Sequence, residues 1–231
     1  MNWIDTCVWY LNNIWIYVQQ MIPCMLLAVI LFFLVLPVRR KILEHHALSS
    51  SIQREAVLLL FIMFMAGLSA LTLFPADIWM HFINDIRTGS IWISGFHWSD
   101  YFPPFEESVL RLQNLGQLLH PFDEIRRAFR AGPWFMFMLL GNIGIFMPIG
   151  FFSSLLWRKP SWWRAVLLGF ICSTGFEFVQ LFVGRRTDVD DVLLNTLGSL
   201  LGFILFWGLR LLFPAFLAGF QCQPVRRNMN G

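Results

Sequence analysis

An all-α, polytopic integral membrane protein of about five transmembrane helices is what this chain predicts, on three observations. Its 231 residues are 57% hydrophobic and only 13% charged, too little polar surface to cover a soluble globule of that size. Uncharged runs recur: none of the residues between Asp5 and Arg39 is charged, nor any from Ala56 to Ala76, Ala131 to Trp157 or Val192 to Leu209. Each is long enough for the roughly 20 helical residues that a bilayer requires. Finally, lysines and arginines gather between the runs, as they do in cytoplasmic loops.

Taken in order, Asp5 to Gln20, rich in Trp, Tyr, Ile and Asn, is expected to lie along the membrane surface, and the first span to run inward from Met21 to Val38. The basic cluster Arg39, Arg40, Lys41 follows this apolar run rather than preceding it, so the run is expected to stay as an anchor and not to be cleaved as a signal peptide. The second span runs outward over Ala56 to Phe74. A loop over residues 75–132 follows, carrying His81, His97, His120, Glu106 and Glu107, and too long and aromatic for a plain linker. It is expected to pack on the membrane, with a short amphipathic helix over Glu106 to Leu119 after the turn signal Pro103-Pro104.

The third span is Pro133 to Trp157, inward, and the fourth Ala165 to Val183, outward. Glu177 alone interrupts the fourth, and the surrounding Leu, Phe, Val and Ile can offset the ~2.5–3.5 kcal/mol that a central acid costs on insertion. The fifth, Val192 to Leu209, runs inward. Only Arg185 to Asp190 join spans four and five, which forces an antiparallel hairpin. The organisation is then an N-terminal part, 1–55, with the surface segment, first span and cytoplasmic loop; a membrane domain, 56–213; and a tail, 214–231. In this order Arg39, Arg40, Lys41 and Arg54, then Arg158, Lys159 and Arg164, then Arg210, Arg226 and Arg227 share one side. That side is expected to be cytoplasmic, with the N-terminus outside and the C-terminus inside. Trp134 would mark the outer interface and Trp157, Trp162 and Trp163 the inner one.

Several function classes lack support. Cys7, Cys24, Cys172 and Cys222 are scattered without Cys-x-x-Cys spacing, so neither a disulfide framework nor a zinc site is indicated. A net charge of +3 with no basic stripe gives no sign of nucleic-acid binding. The histidines lack metal spacing, and no catalytic triad, phosphate-cradling glycine loop or dinucleotide fingerprint occurs, so no cofactor is expected.

What remains is a polar constellation in apolar surroundings. On span four, Ser173, Glu177, Gln180 and Gly184 are spaced 4, 3 and 4 residues apart and share a helical face. On span five, Asp191, Asn195, Gly198 and Gly202 do the same, and the two glycines form a small-xxx-small pair suited to close helix packing. Counted along the helices, Glu177 lies roughly 10 Å below the outer turn, Asn195 about 6 Å and Asn142 about 13 Å. With Thr72 near the end of span two, polar residues of four spans meet in the outer half of the bilayer, and one outward-opening polar pocket is expected.

The same residues carry a family resemblance. Leu71-Thr72-Leu73-Phe74-Pro75, Asn142-Ile143-Gly144-Ile145-Phe146-Met147-Pro148-Ile149-Gly150, Glu177-x-x-Gln180 and Arg185-x-x-Asp188-x-Asp190-Asp191-x-x-x-Asn195-x-x-Gly198-x-x-x-Gly202 together resemble the VanZ-like membrane proteins over about Leu71 to Gly202. The Asn-x-x-Pro-Phe element frequent in that family reads Tyr101-Phe102-Pro103-Pro104-Phe105 here. The family is named for a protein associated with resistance to the lipoglycopeptide teicoplanin. The resemblance implies a bacterial plasma-membrane protein, contacting membrane lipids and a lipid-linked or lipoglycopeptide ligand.

Individual roles stay open at this level. Glu177 suits a general base, a proton carrier or a cation ligand, and equally a structural partner of Arg185 or Arg186. Asp188, Asp190 and Asp191 could hold a hard cation, or Asp188 and Asp191 could cap the fifth helix while Asp190 is solvated. Asn142 could serve a ligand or an interhelical bond. The ligand-binding set is therefore Asn142, Glu177, Gln180, Arg185, Asp188, Asp191 and Asn195, with Gly198 and Gly202 for packing. Binding of an envelope ligand is the leading expectation. An intramembrane enzyme acting on a phosphate-bearing lipid, with Glu177 or Asp191 as acid or base, is the alternative, and ion or lipid transport the third.

Overall fold

A computed structural model of the chain describes residues 3–74, 78–95, 97, 99, 101–102, 109, 121–183, 188–221 and 223–224. Among them, five helices are long and apolar enough to cross a membrane. They are α1 (Trp3–His45), α2 (Ile52–Leu73), α6 (Pro133–Leu156), α7 (Trp162–Val183) and α8 (Val189–Leu212). Between α2 and α6 stand the shorter α3 (Ile78–Thr88), α4 (Ser90–Ser94) and α5 (Asp123–Ala131), and α9 (Pro214–Ala218) follows α8. The helix expected over Glu106 to Leu119, like Arg185 and Arg186, falls outside the described residues.

Asp5 to Gln20 does not form a separate surface segment. It continues the first span in one helix of 43 residues, roughly 65 Å long and well beyond a bilayer core. No glycine interrupts the segment, and Pro23 and Pro37 lie inside the helix rather than ending it. Gln20 ties this extension to α2: its Nε2 donates to the carbonyls of Ala70 (3.2 Å) and Phe74 (3.0 Å). Its own carbonyl accepts from Trp79 Nε1 on α3 at 3.0 Å. Pro23 has no N–H to donate to the neighbouring Gln19 carbonyl, so the helical ladder lacks one bond beside this contact.

The hairpin of spans four and five is present. Asp188 meets Glu177, Asn195 meets Ser173 and Ser199 meets Ala165, so positions on α7 fall as those on α8 rise. The closest helix approach, however, is between α8 and α6. A Cβ at Gly198 would overlap the backbone carbonyl of Ile143, one at Gly202 that of Met147, and one at Gly150 that of Ser199. The small-residue stripe of the fifth span thus packs on the third, while Asn195 and Ser199, on an adjoining face, serve the fourth.

Two apolar clusters hold the bundle. Leu68, Phe146 and Ile149, packed by Phe64, Met65, Ile145, Leu168, Cys172 and Phe176, join α2, α6 and α7. Leu155, Phe206 and Leu217 join α6, α8 and α9 nearer the other end. The outward faces carry exposed Leu26, Leu34, Phe170, Phe178 and Ile204, a belt suited to acyl chains and costly in water.

At that far end the tail returns to the loop between α1 and α2. Strand β1 (Leu48–Ser49) pairs antiparallel with β2 (Gln223–Pro224). Ser51 caps α2 by accepting from Arg54 N at 3.1 Å, and its Oγ donates to the Gly219 carbonyl at 2.8 Å. An ion pair between Arg39 and Glu55 closes the same corner. The basic α1–α2 loop and the tail therefore share one end of the bundle, as an odd number of spans requires.

Candidate functional site

The α5–α6 corner sets the depth of the site. Asp190 is fully buried, and its two oxygens accept the backbone N–H groups of Phe122 and, at 3.1 Å, Ile125. These are free donors at the start of α5, which a carboxylate satisfies well. The expectation that Asp190 is solvated is thereby overturned: it caps a helix some 65 positions away in sequence. Phe122, at φ +71°, is held in a left-handed conformation beside it. From there α5 climbs to Gly132, whose φ of +103° a side chain would strain, and α6 descends.

Asn142 Nδ2 then donates to Asp191, in the first turn of α8. Asn142 consequently lies level with the α7–α8 turn rather than about 13 Å below it; the first nine residues of α6 stand beyond that turn by roughly that distance. Counting from Pro133 failed because the chain enters α6 from a raised helical hairpin and not from the level of the neighbouring turn. The extension of α1 reaches up beside it, with Trp9 edge-on to Trp134 at 4.8 Å between ring centres.

A cavity of about 660 Å³ opens between these parts. Its polar wall is Thr72, Asn142, Glu177, Gln180, Asp191 and Asn195, contributed by four helices. Its other wall, apolar but for the Tyr17 hydroxyl, includes Ile14, Tyr17, Val18 and Met21 of α1, Leu71 of α2 and Phe137, Met138 and Ile145 of α6. Phe146 lines it while also belonging to the first apolar cluster. The four α1 residues were missed by sequence reasoning; the signal was an uncharged run from Asp5 to Arg39 too long for one crossing.

Each polar group has a traceable setting. Glu177, only 7% exposed, accepts from Asp188 N through Oε2 at 2.9 Å. Asp188 in turn caps α8, its Oδ1 accepting from Asp190 N at 2.9 Å. Gln180 Nε2 donates to the Thr72 carbonyl at 3.0 Å, and Asn195 Nδ2 to Ser173 Oγ at 2.9 Å. The Thr72 hydroxyl turns to its own helix, donating to the Leu68 carbonyl at 2.8 Å. Gln180 Oε1 and Asn195 Oδ1 are buried without a protein partner. Of the expected ligand-binding set, Asn142, Glu177, Gln180, Asp191 and Asn195 line one cavity, Asp188 stands behind it as support, and Arg185 lies outside the described residues. Asp188, Asp190 and Asp191 face different partners: the Glu177 carboxylate, the start of α5 and Asn142.

The family model for VanZ/LLP1 matches residues 21–213. The chain belongs to the VanZ/LLP1 family. That match takes in nearly all of the bundle, including the first span and α8 to its end, which the motif resemblance over Leu71 to Gly202 had left out. All the VanZ/LLP1 cavity residues on α2, α6, α7 and α8 fall within it, as does Met21 of α1, whereas Ile14, Tyr17 and Val18 precede it. No curated protein and no solved structure matches the chain.

Proposed function

We propose that this VanZ-family membrane protein works at the bacterial cell envelope by binding the lipid-bearing part of a lipid-linked or lipoglycopeptide ligand, and so lowers susceptibility to teicoplanin-type antibiotics. The observation that carries the reading is the cavity itself: one wall of apolar side chains from α1, α2 and α6, facing carboxylates and carboxamides on α6, α7 and α8. A pocket so divided suits an amphiphile, whose chain takes the apolar side and whose head meets the polar one. Its volume is that of an ordinary small-ligand site. The basic residues Arg39 to Lys41 and Arg158 to Arg164, at the opposite end of the bundle, support a cytoplasmic location for that end and an outward opening for the cavity.

Binding is favoured over chemistry by the way the carboxylates are held. Glu177 and Asp191 each already accept a protein donor, Asp188 N and Asn142 Nδ2, and both bonds knit the α6–α7–α8 corner together. Expression in a teicoplanin-susceptible Gram-positive host should raise the inhibitory concentration of teicoplanin but not of a glycopeptide lacking a lipid tail. Gly141→Trp, which fills the cavity from its exposed rim, should abolish the increase at equal protein level. Unchanged susceptibility with well-expressed parent protein would sink the proposal.

A further inference from the structure

We infer that the cavity selects a head group rich in hydrogen-bond donors, such as a sugar hydroxyl cluster or a primary ammonium, and discriminates against phosphate. The inference rests on the binding role proposed above and specifies the class of ligand at that same site. Its starting point is the orientation of two carboxamides. Gln180 must present its nitrogen to the Thr72 carbonyl, because two carbonyl oxygens cannot bond one another, and this turns Oε1 away. Asn195, itself 8% exposed, points its nitrogen at Ser173 Oγ. Both residues line the cavity, and both oxygens are left buried with no protein donor.

A buried acceptor without a donor is costly, so a native protein rarely keeps two in one cavity unless something from outside satisfies them. The rest of the polar wall points the same way. Asn142 turns its amide nitrogen to Asp191, and the Thr72 hydroxyl donates to Leu68, so neither offers that donor to the cavity. No lysine, arginine or histidine lines the cavity among the described residues. The free capacity of the two carboxamides is thus that of an acceptor. Hydroxyl or N–H groups on an alkyl chain answer it; a phosphate would bring only more acceptor oxygens beside Gln180 Oε1 and Asn195 Oδ1.

The test uses three probes that share a decyl chain: decyl glucoside, decylammonium and decyl phosphate. The intact protein is purified in an amine-oxide detergent, whose head group offers no donor, and binding is titrated by native mass spectrometry. Decyl glucoside and decylammonium should each bind at least about tenfold more tightly than decyl phosphate, the factor that one satisfied hydrogen bond supplies. Gln180→Met and Asn195→Leu should each remove about tenfold of the glucoside's affinity and leave decyl phosphate unchanged. If either variant fails to fold, the order of the three probes on the parent protein decides. Decyl phosphate binding as tightly as the other two overturns the inference while leaving the binding role standing; retention of no probe at all overturns both.

Discussion

Within the run Asp188-Val189-Asp190-Asp191, three acids of similar chemistry do three different things. Asp188 caps its own helix, Asp190 caps α5, and Asp191 holds Asn142 at the cavity wall. Spacing alone could not separate these, because the partners of Asp190 are backbone N–H groups on a distant segment, and a backbone donor leaves no mark in the side-chain pattern. Replacing Asp190 with Ala strands two half-buried backbone N–H groups, at up to about 1–3 kcal/mol each. It also removes the contact that steadies Phe122 in its left-handed conformation. Asp190→Ala should therefore lower the thermal unfolding temperature markedly and speed amide exchange across 121–131. Asp188→Ala, losing a cap worth about 1 kcal/mol, should shift it less. Equal melting temperatures for the two variants would show that Asp190 is not the anchor of that corner.

At the scale of the helix, the glycines of α8 make a sharper contrast. Gly202 and Gly208 sit six residues apart on the same element, yet a Cβ at Gly202 meets the Met147 backbone whereas one at Gly208 meets nothing. Gly202→Ala should force α8 off α6 and cost about 1–3 kcal/mol as an overpacked contact does, while Gly208→Ala should be neutral or slightly stabilising. Thermal unfolding of the two purified variants measures the difference, and parity between them would refute backbone-level packing of α6 on α8. Much of this layer could be read from the sequence: each expected span is a helix, and the small-xxx-small pair does mediate a close approach. The helices nevertheless outrun the uncharged cores, with α2 starting at Ile52 and α8 at Val189. A helix begins where a cap satisfies its first N–H groups, here Ser51 and Asp188, and not where charge runs out. The partner of the glycine pair was not legible, because periodicity fixes which residues share a face but not which neighbour that face meets.

For the whole molecule, the relation between its two ends carries the functional weight. The polar constellation was legible as a set, since acids and amides on apolar helices have few places to go but inward. The cavity's other wall was not, because Ile14, Tyr17, Val18 and Met21 look like any lipid-facing side chains until α1 is seen to continue past its first crossing. The cavity lies toward the α7–α8 turn, whereas the β1–β2 pair, the Ser51–Gly219 bond and the Arg39–Glu55 pair gather at the opposite end. A ligand arriving from outside the cell can reach the polar wall only if that turn faces out, so orientation and function stand or fall together. In a variant with the four cysteines replaced by alanine, Thr88→Cys on α3 and His46→Cys in the α1–α2 loop provide one exposed thiol near each end. A membrane-impermeant maleimide added to intact cells should label Thr88→Cys, and should reach His46→Cys only after the membrane is opened. The reverse pattern would turn the cavity toward the cytoplasm and remove the basis for an extracellular lipid-tailed ligand, whatever the purified protein binds.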